Sequence, residues 1–175
     1  MGKTAEGADA NEHMRAADKV HELVSELDYP MFIVTVASAT DRAGCLVGFA
    51  TQCSIDPPRS LLCLSDQNKT FRVAREAEVM VVHLVPDEAE ALADLFGGHT
   101  GDEVDKFAHC EWSPGPGGAP VLGECPNWFA GRILERVSAG DHCALLLDPF
   151  EAATDPCETP FTFHRARRIE PGHPA

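Results

Sequence analysis

Apolar positions recur along this chain with two different periods. From Ala10 to Leu27 the residues Met14, Ala17, Val20, Val24 and Leu27 follow at three- and four-residue steps, which predicts one apolar stripe on a helix. Asp28, Tyr29 and Pro30 end it, because the residue before a proline is pushed away from helical backbone. Met31 to Ala37, rich in Ile, Val, Phe and Thr, predicts a strand, and Asp41, Arg42, Ala43 and Gly44 predict a hairpin turn into the next one from Cys45. That second apolar strand passes into small polar residues and stops at Pro57 and Pro58, which cannot donate to a ladder. Ser60 to Leu64 is a third strand. Val79 to Val85 is a fourth, nearly all apolar and therefore buried on both faces or closed in a barrel.

Between these strands Asn68 reads as the N-cap of a short helix with Phe71, Ala74 and Ala77 on its apolar side. Pro86 and Asp87 start a helix that runs to Phe96. Gly97 and Gly98, and the stretch from Ser113 to Gly118, read as loops. Further strands are expected near Asn127 to Val137, Cys143 to Asp148 and Phe161 to Ile169. Strands in series with short helices inserted, and no regular βαβ alternation, predict a mainly β fold, an antiparallel barrel rather than a doubly wound sheet. No Gly-x-Gly-x-x-Gly follows a strand, which argues against a Rossmann nicotinamide domain.

Composition narrows the choice. The 175 residues suit one domain, divided here into an N-terminal tail and helix (1–28) and a β domain (29–175). Hydrophobic residues make up 44% of the chain, and no apolar run approaches the roughly 18 residues of a membrane span. Glu6, Asp9 and Glu12 make the N-terminus unlike a signal peptide, so a cytoplasmic protein is expected. The seven cysteines contain no Cys-x-x-Cys pair, which favours buried free thiols over metal or disulfide chemistry. The net charge of −14 argues against nucleic acid and anionic membranes as partners. One window reverses the sign: Arg59, Lys69, Arg72 and Arg75 stand there against only Asp66. It reads either as an anion site next to the capped helix or as a solvated basic helix face.

The residues from Gly44 to Pro58, ending in Asp56, Pro57 and Pro58, resemble the strand and turn of the flavin reductase-like, FMN-binding split-barrel family. Three further matches follow in that family's order. Ser65 to Thr70 is similar to its phosphate loop. Leu95, Phe96 and Gly97, with Asp105, Lys106 and Phe107, are similar to its helix and Lys-Phe pair, and Gly140, Asp141 and His142 to its late Gly-Asp-His. The resemblance spans roughly residues 30 to 165 and implies an antiparallel split β-barrel and a homodimer. It also implies an NAD(P)H-dependent flavin reductase that supplies reduced FMN or FAD to a partner monooxygenase, with NADH or NADPH as reductant. Alternatives on the same fold are a flavin- or deazaflavin-binding oxidoreductase acting on another small molecule, and a flavin-binding module without turnover.

Carried over residue by residue, the resemblance puts Thr51, Gln52, Cys53 and Ser54 along the flavin ring and Asn68, Lys69 and Thr70 at its phosphate. Phe96 and Lys106 become further flavin contacts, and His142 the catalytic side chain beside flavin and nicotinamide. The chemistry is hydride transfer between two rings stacked at roughly 3–3.5 Å, which asks the protein for shape and donors, not for an acid and base pair. The bland readings stay open: a plain strand end, a helix cap, a core phenylalanine, a solvated lysine and a surface histidine. His83, inside an apolar strand, reads as a packed core histidine. Arg165, Arg167 and Arg168 read as a solvated tail or as partners of a nicotinamide 2′-phosphate. Gly48 and Phe49 depart from the family, whose members often carry a small polar pair there.

Overall fold

A computed structural model describes residues 5–155 and 159–172, with side chains from Met14 onward. Cys157 lies outside the described residues. Seven strands form one antiparallel sheet: β1 (Phe32–Ala37), β2 (Arg42–Val47), β3 (Ala50–Ser54), β4 (Arg59–Ser65), β5 (Val79–Leu84), β8 (Trp128–Ala139) and β9 (His142–Ala153), in the order β2-β1-β5-β8-β9-β4-β3. The β-branched β1 and the apolar β5 are neighbours inside the sheet, each with four consecutive buried residues. β8 and β9 form a long hairpin whose turn needs Gly140 at φ 79.

The sheet order carries one further consequence. β2 and β3 lie at opposite ends of the order, yet only Gly48 and Phe49 separate them in the chain. Three residues from Val47 to Ala50 reach at most about 10 Å, so the sheet must curl until its two ends approach. The Cys63 amide donates to the Phe49 carbonyl at 2.9 Å, which extends the β3–β4 pairing up to the break. The sequence predicts one strand running from Cys45 to the prolines. Instead Gly48 and Phe49 break it, and a polar second half pairs with β4.

Alternation along β1 divides the interior in two. Val34 and Val36 point into one cluster with Leu62, Leu64, Met80, Val82, Leu145 and Leu147. Ile33 points to the other, with Leu92, Phe96, Phe107, Leu122 and Phe161. Burial of each such side chain contributes about 1.5–3 kcal/mol. α2 (Lys69–Ala74) is capped by Asn68, whose Oδ1 accepts from the Thr70 amide, and it packs Val73 and Ala74 into the first cluster. The Arg136 guanidinium donates to the Ala74 and Ala77 carbonyls at its far end. α3 (Glu90–Gly97) presents Leu92, Ala93 and Phe96 to the second cluster.

Two expectations need correction. The stretch from Ser113 to Gly118 is not only a loop. β6 (Trp112–Pro114) and β7 (Pro120–Leu122) pair across it, with Gly117 and Gly118 at positive φ. The strand expected from Phe161 to Ile169 is instead a pair of isolated bridges, at Pro160 and Thr162, followed by α4 (Phe163–Ala166). Phe161 is fully buried there and Phe163 stacks on Tyr29 at 4.8 Å, so the chain turns to place both rings on one side. α1 spans Ala5–Ser25, and the apolar stripe read from Met14 to Leu27 is largely open, with Met14, Val20 and Leu27 all more than half exposed. Among the described residues no helix is long and apolar enough to cross a membrane.

Candidate functional site: a groove beside the outer strand β2

β2 ends the strand order, so one side of its backbone has no partner strand in the sheet. Along that side runs a cavity of about 200 Å³, lined by Cys45 to Phe49, Tyr29, Ser65, Asn68 and His142 among others. A second cavity, of about 430 Å³, continues it past Val24, Thr51 and Leu61. The two share Tyr29, Gly48, Phe49 and Cys63, and together form one groove with an aromatic wall and a polar end.

His142 opens β9 opposite Ser65 of β4. Its Nδ1 lies 2.8 Å from Asp141 Oδ1, which leaves Nε2 to the groove, and its ring meets that of Phe49 edge-on at 5.4 Å. Hydrogen bonding to His142 holds the Asp141 carboxyl below the usual carboxylate range. The Asp66 amide donates to the Asp141 carbonyl at 3.1 Å and ties this turn to the loop before α2.

The expected site residues divide by position. Thr51, Asn68 and His142 line the groove. Gln52 lines a further cavity of about 400 Å³ that shares Ala50, Thr51 and Leu61 with the groove. Gln52 Nε2 donates to the Ser54 carbonyl at 2.9 Å, and Cys53 is exposed on the same strand. Lys69 binds Asp41 at 3.0 Å. Thr70 is buried, and its hydroxyl is within hydrogen-bonding reach of the Cys45 thiol. Burial pushes the neighbouring Cys45 thiol up, with Thr70 and the Lys106 charge acting against the shift.

Phe96 and Lys106 belong to the second core cluster and its edge, away from this groove. Phe96 is fully buried, and Lys106 Nζ donates to the Phe96 carbonyl at 2.9 Å and to the Gly44 carbonyl at 3.2 Å. Burial holds the Lys106 ammonium below its ordinary pKa.

The local charge reversal does not survive folding. Arg59 pairs with Asp148, Lys69 with Asp41 and Arg72 with Asp102, while Arg75 sits 6.0 Å from the Phe71 ring. A sequence window contains none of those carboxylates, because each is supplied by a distant element. Likewise Arg165 is bound to Asp87 and Glu90, and Arg167 donates to the Ser25 carbonyl. Tyr29, Phe49 and Cys63 are groove residues to which the motifs gave no role. The one signal for them was the departure at Gly48 and Phe49.

Aromatic walls, an open backbone edge and a capped helix at the polar end fit a flat ring carrying an anionic tail. The protein belongs to the family of the flavin reductase like domain, whose profile matches residues 24–171. The chain is 30% identical over 131 residues to the FMN reductase (NADH) RutF of Klebsiella pneumoniae (strain 342), covering 74% of this chain and 79% of that protein. It is also 30% identical over 117 residues to the stachydrine N-demethylase reductase subunit Stc3 of Rhizobium meliloti (strain 1021), covering 65% of this chain and 50% of that protein. The solved NADH:FAD oxidoreductase SgcE6 of Streptomyces globisporus C-1027 superposes with a TM-score of 0.78 at 20% identity, over 87% of this chain and 91% of that one, and shares the fold. The chain spans about half the length of Stc3 and 37% and 62% of two further curated relatives.

Proposed function

We propose that the protein is an NAD(P)H-dependent flavin reductase that reduces FMN or FAD and passes the product to a partner monooxygenase. The observation that carries this reading is the continuous groove from Thr51 past Phe49 and His142 to Asn68, which joins the ring and phosphate segments into one site. It is supported by the relatives, which include a protein named as an FMN reductase and another named as the reductase subunit of a demethylase.

A bound flavin would supply the redox chemistry, as the hydride acceptor. The chain's own residues do the rest. Phe49 and Tyr29 give the ring an apolar wall, the open backbone edge of β2 offers amides to its polar rim, and Asn68 with Lys69 receives the phosphate. His142, held at Nδ1 by Asp141, keeps Nε2 directed to the space beside the ring. We further read the curled sheet as a split barrel within a domain of residues 29–175, preceded by an N-terminal tail and helix (1–28), assembled as a homodimer in the cytoplasm. The exposed Met14, Val20, Leu23 and Leu27 on and after α1 support the dimer, since the described residues of their own chain leave them uncovered.

Purified protein is mixed with NADH or NADPH, with and without free FMN, and followed by nicotinamide absorbance. Flavin-stimulated oxidation is expected, and His142→Asn is expected to lower turnover by about tenfold or more while FMN affinity changes little. A protein that binds FMN but leaves both nicotinamides intact is a binding module, and that outcome overturns the reading.

A further inference from the structure

A cavity of about 670 Å³ lies beside the groove just described and is distinct from it. It begins where that groove ends. Asn68 and Cys45 line the ring groove, while their chain neighbours Lys69 and Gly44 line this one. The two therefore run end to end along β2, and they meet at the residues that receive the flavin phosphate in the reading above.

Its chemistry is specific. The Arg42 guanidinium lies 4.7 Å from the Trp112 ring centroid and 5.4 Å from that of Phe107. Trp112 Nε1 donates to the Phe107 carbonyl at 3.1 Å, which fixes the indole, and Asp105 steadies Arg42 at 3.7 Å. The Arg42 side chain still keeps 43% of its surface exposed, so the stack has an open side. A planar, electron-rich heterocycle adds to such a stack through its π face.

The rim around the stack is charged but balanced. Asp41 is paired with Lys69, Asp102 with Arg72 and Asp105 with Arg42; among the described residues Glu103 is the one lining carboxylate without an ion-pair partner. Carboxylates beside lysine and arginine suit a group that carries both hydroxyl donors and a phosphate. A ribose diol donates to carboxylates, and a phosphate competes for Lys69. A stacking ring, a diol and a phosphate together make an adenylate.

Resting on the reductase reading, we propose that this cavity is the adenylate subsite for FAD, and that FAD is the preferred flavin over FMN. The position decides between the two adenylate sources available to a reductase. The cavity adjoins the phosphate end of the ring groove, whereas a nicotinamide must approach at the Phe49 and His142 end, about 13 Å further along β2. An FAD whose ring lies in the first groove continues past Asn68 and Lys69 directly into the second.

The test compares FMN and FAD binding to the full chain, using flavin fluorescence and the emission of Trp112 in a Trp128→Phe background. FAD is expected to bind about tenfold more tightly than FMN, and 5′-AMP alone to quench Trp112. Arg42→Ala is expected to bring the FAD affinity down to that of FMN. Thr40→Trp, at an exposed turn position on the rim, fills the cavity and is expected to do the same, which guards against a folding defect in the first variant. Equal FMN and FAD affinities in the unaltered protein, with FMN bound and reduced, overturn the subsite and leave the reductase standing. An unchanged FAD preference in both variants, with a raised KM for NADH, assigns the cavity to the nicotinamide cofactor and also overturns the proposal. Failure to bind either flavin removes the reductase reading itself.

Discussion

His83 and Lys106 are both buried and both ionisable, and the structure treats them differently. Nε2 of His83 accepts from the Leu122 amide at 3.1 Å, so the ring proton must sit on Nδ1, which faces the Ile33 carbonyl at 2.9 Å. One neutral imidazole thus ties β5, β1 and β7 together. Burial lowers its pKa to about 4, below the unfolded value of about 6.5. Between those values the unfolded chain binds a proton that the folded chain refuses, so stability falls as pH drops through that window. The shift corresponds to about 3 kcal/mol by pH 4, levelling off below it. Urea midpoints taken from pH 7 to pH 4 should show this loss, and His83→Leu, though less stable throughout, should lose that share of the slope. Parallel pH profiles for the two proteins would contradict the assignment. Lys106 answers a different need. Its ammonium satisfies the carbonyls of Phe96, near the end of α3, and of Gly44 on β2, two acceptors that its removal would leave unpaired at about 1–3 kcal/mol.

At the scale of elements, β2 is fixed from below by α3. A Cβ built at Gly44 lies 2.7 Å from Phe96 Cε1 and 3.0 Å from the Val34 carbonyl oxygen, so the strand must shift before any side chain fits. Gly44→Ala is expected to destabilise the fold by about 1–3 kcal/mol, as overpacking in close-fitted cores does. The check is a denaturant titration, in which an unchanged midpoint would mean that the ring moves aside freely. Because β2 carries the groove, the same variant is expected to weaken flavin binding beyond its effect on folding. Elements of this kind were legible in the sequence wherever burial imposes a period. β1, β5 and the Asn68 cap lie where alternation and capping chemistry put them. What the pattern could not show is where a strand changes partner. Gly48 and Phe49 are apolar or neutral like their neighbours, and only the sheet order reveals that Cys45 and Thr51 belong to strands at opposite ends of it. β6 and β7 were hidden by their length, three residues each with prolines among them, and α4 by an aromatic pair that mimics strand spacing. Of the site, Asn68, His142 and Thr51 were readable as motif positions. Phe49 and Tyr29 line the groove as ring walls, a matter of shape that no motif records.

For the whole molecule the governing quantity is a net charge of −14 in a protein read as binding two anions, a flavin phosphate and a dinucleotide. The cations nearest the groove do not form a free positive patch. Lys69, Arg72 and Arg59 each hold a carboxylate drawn from elsewhere in the fold. At an ionic strength of about 0.01 M the Debye length is about 30 Å, so an approaching dinucleotide feels most of the protein's charge. At about 0.15 M it shrinks to about 8 Å, and only the groove's own groups remain in view. Long-range repulsion slows encounter and local pairing does not, so added salt should help before it hinders. We therefore expect kcat/KM for NADH to rise severalfold between those two ionic strengths, with KM carrying the change and kcat nearly constant. A fall over the same range would show that Lys69 and Arg42 dominate the encounter despite their ion pairs, and that the groove attracts anions across a distance comparable to its own length.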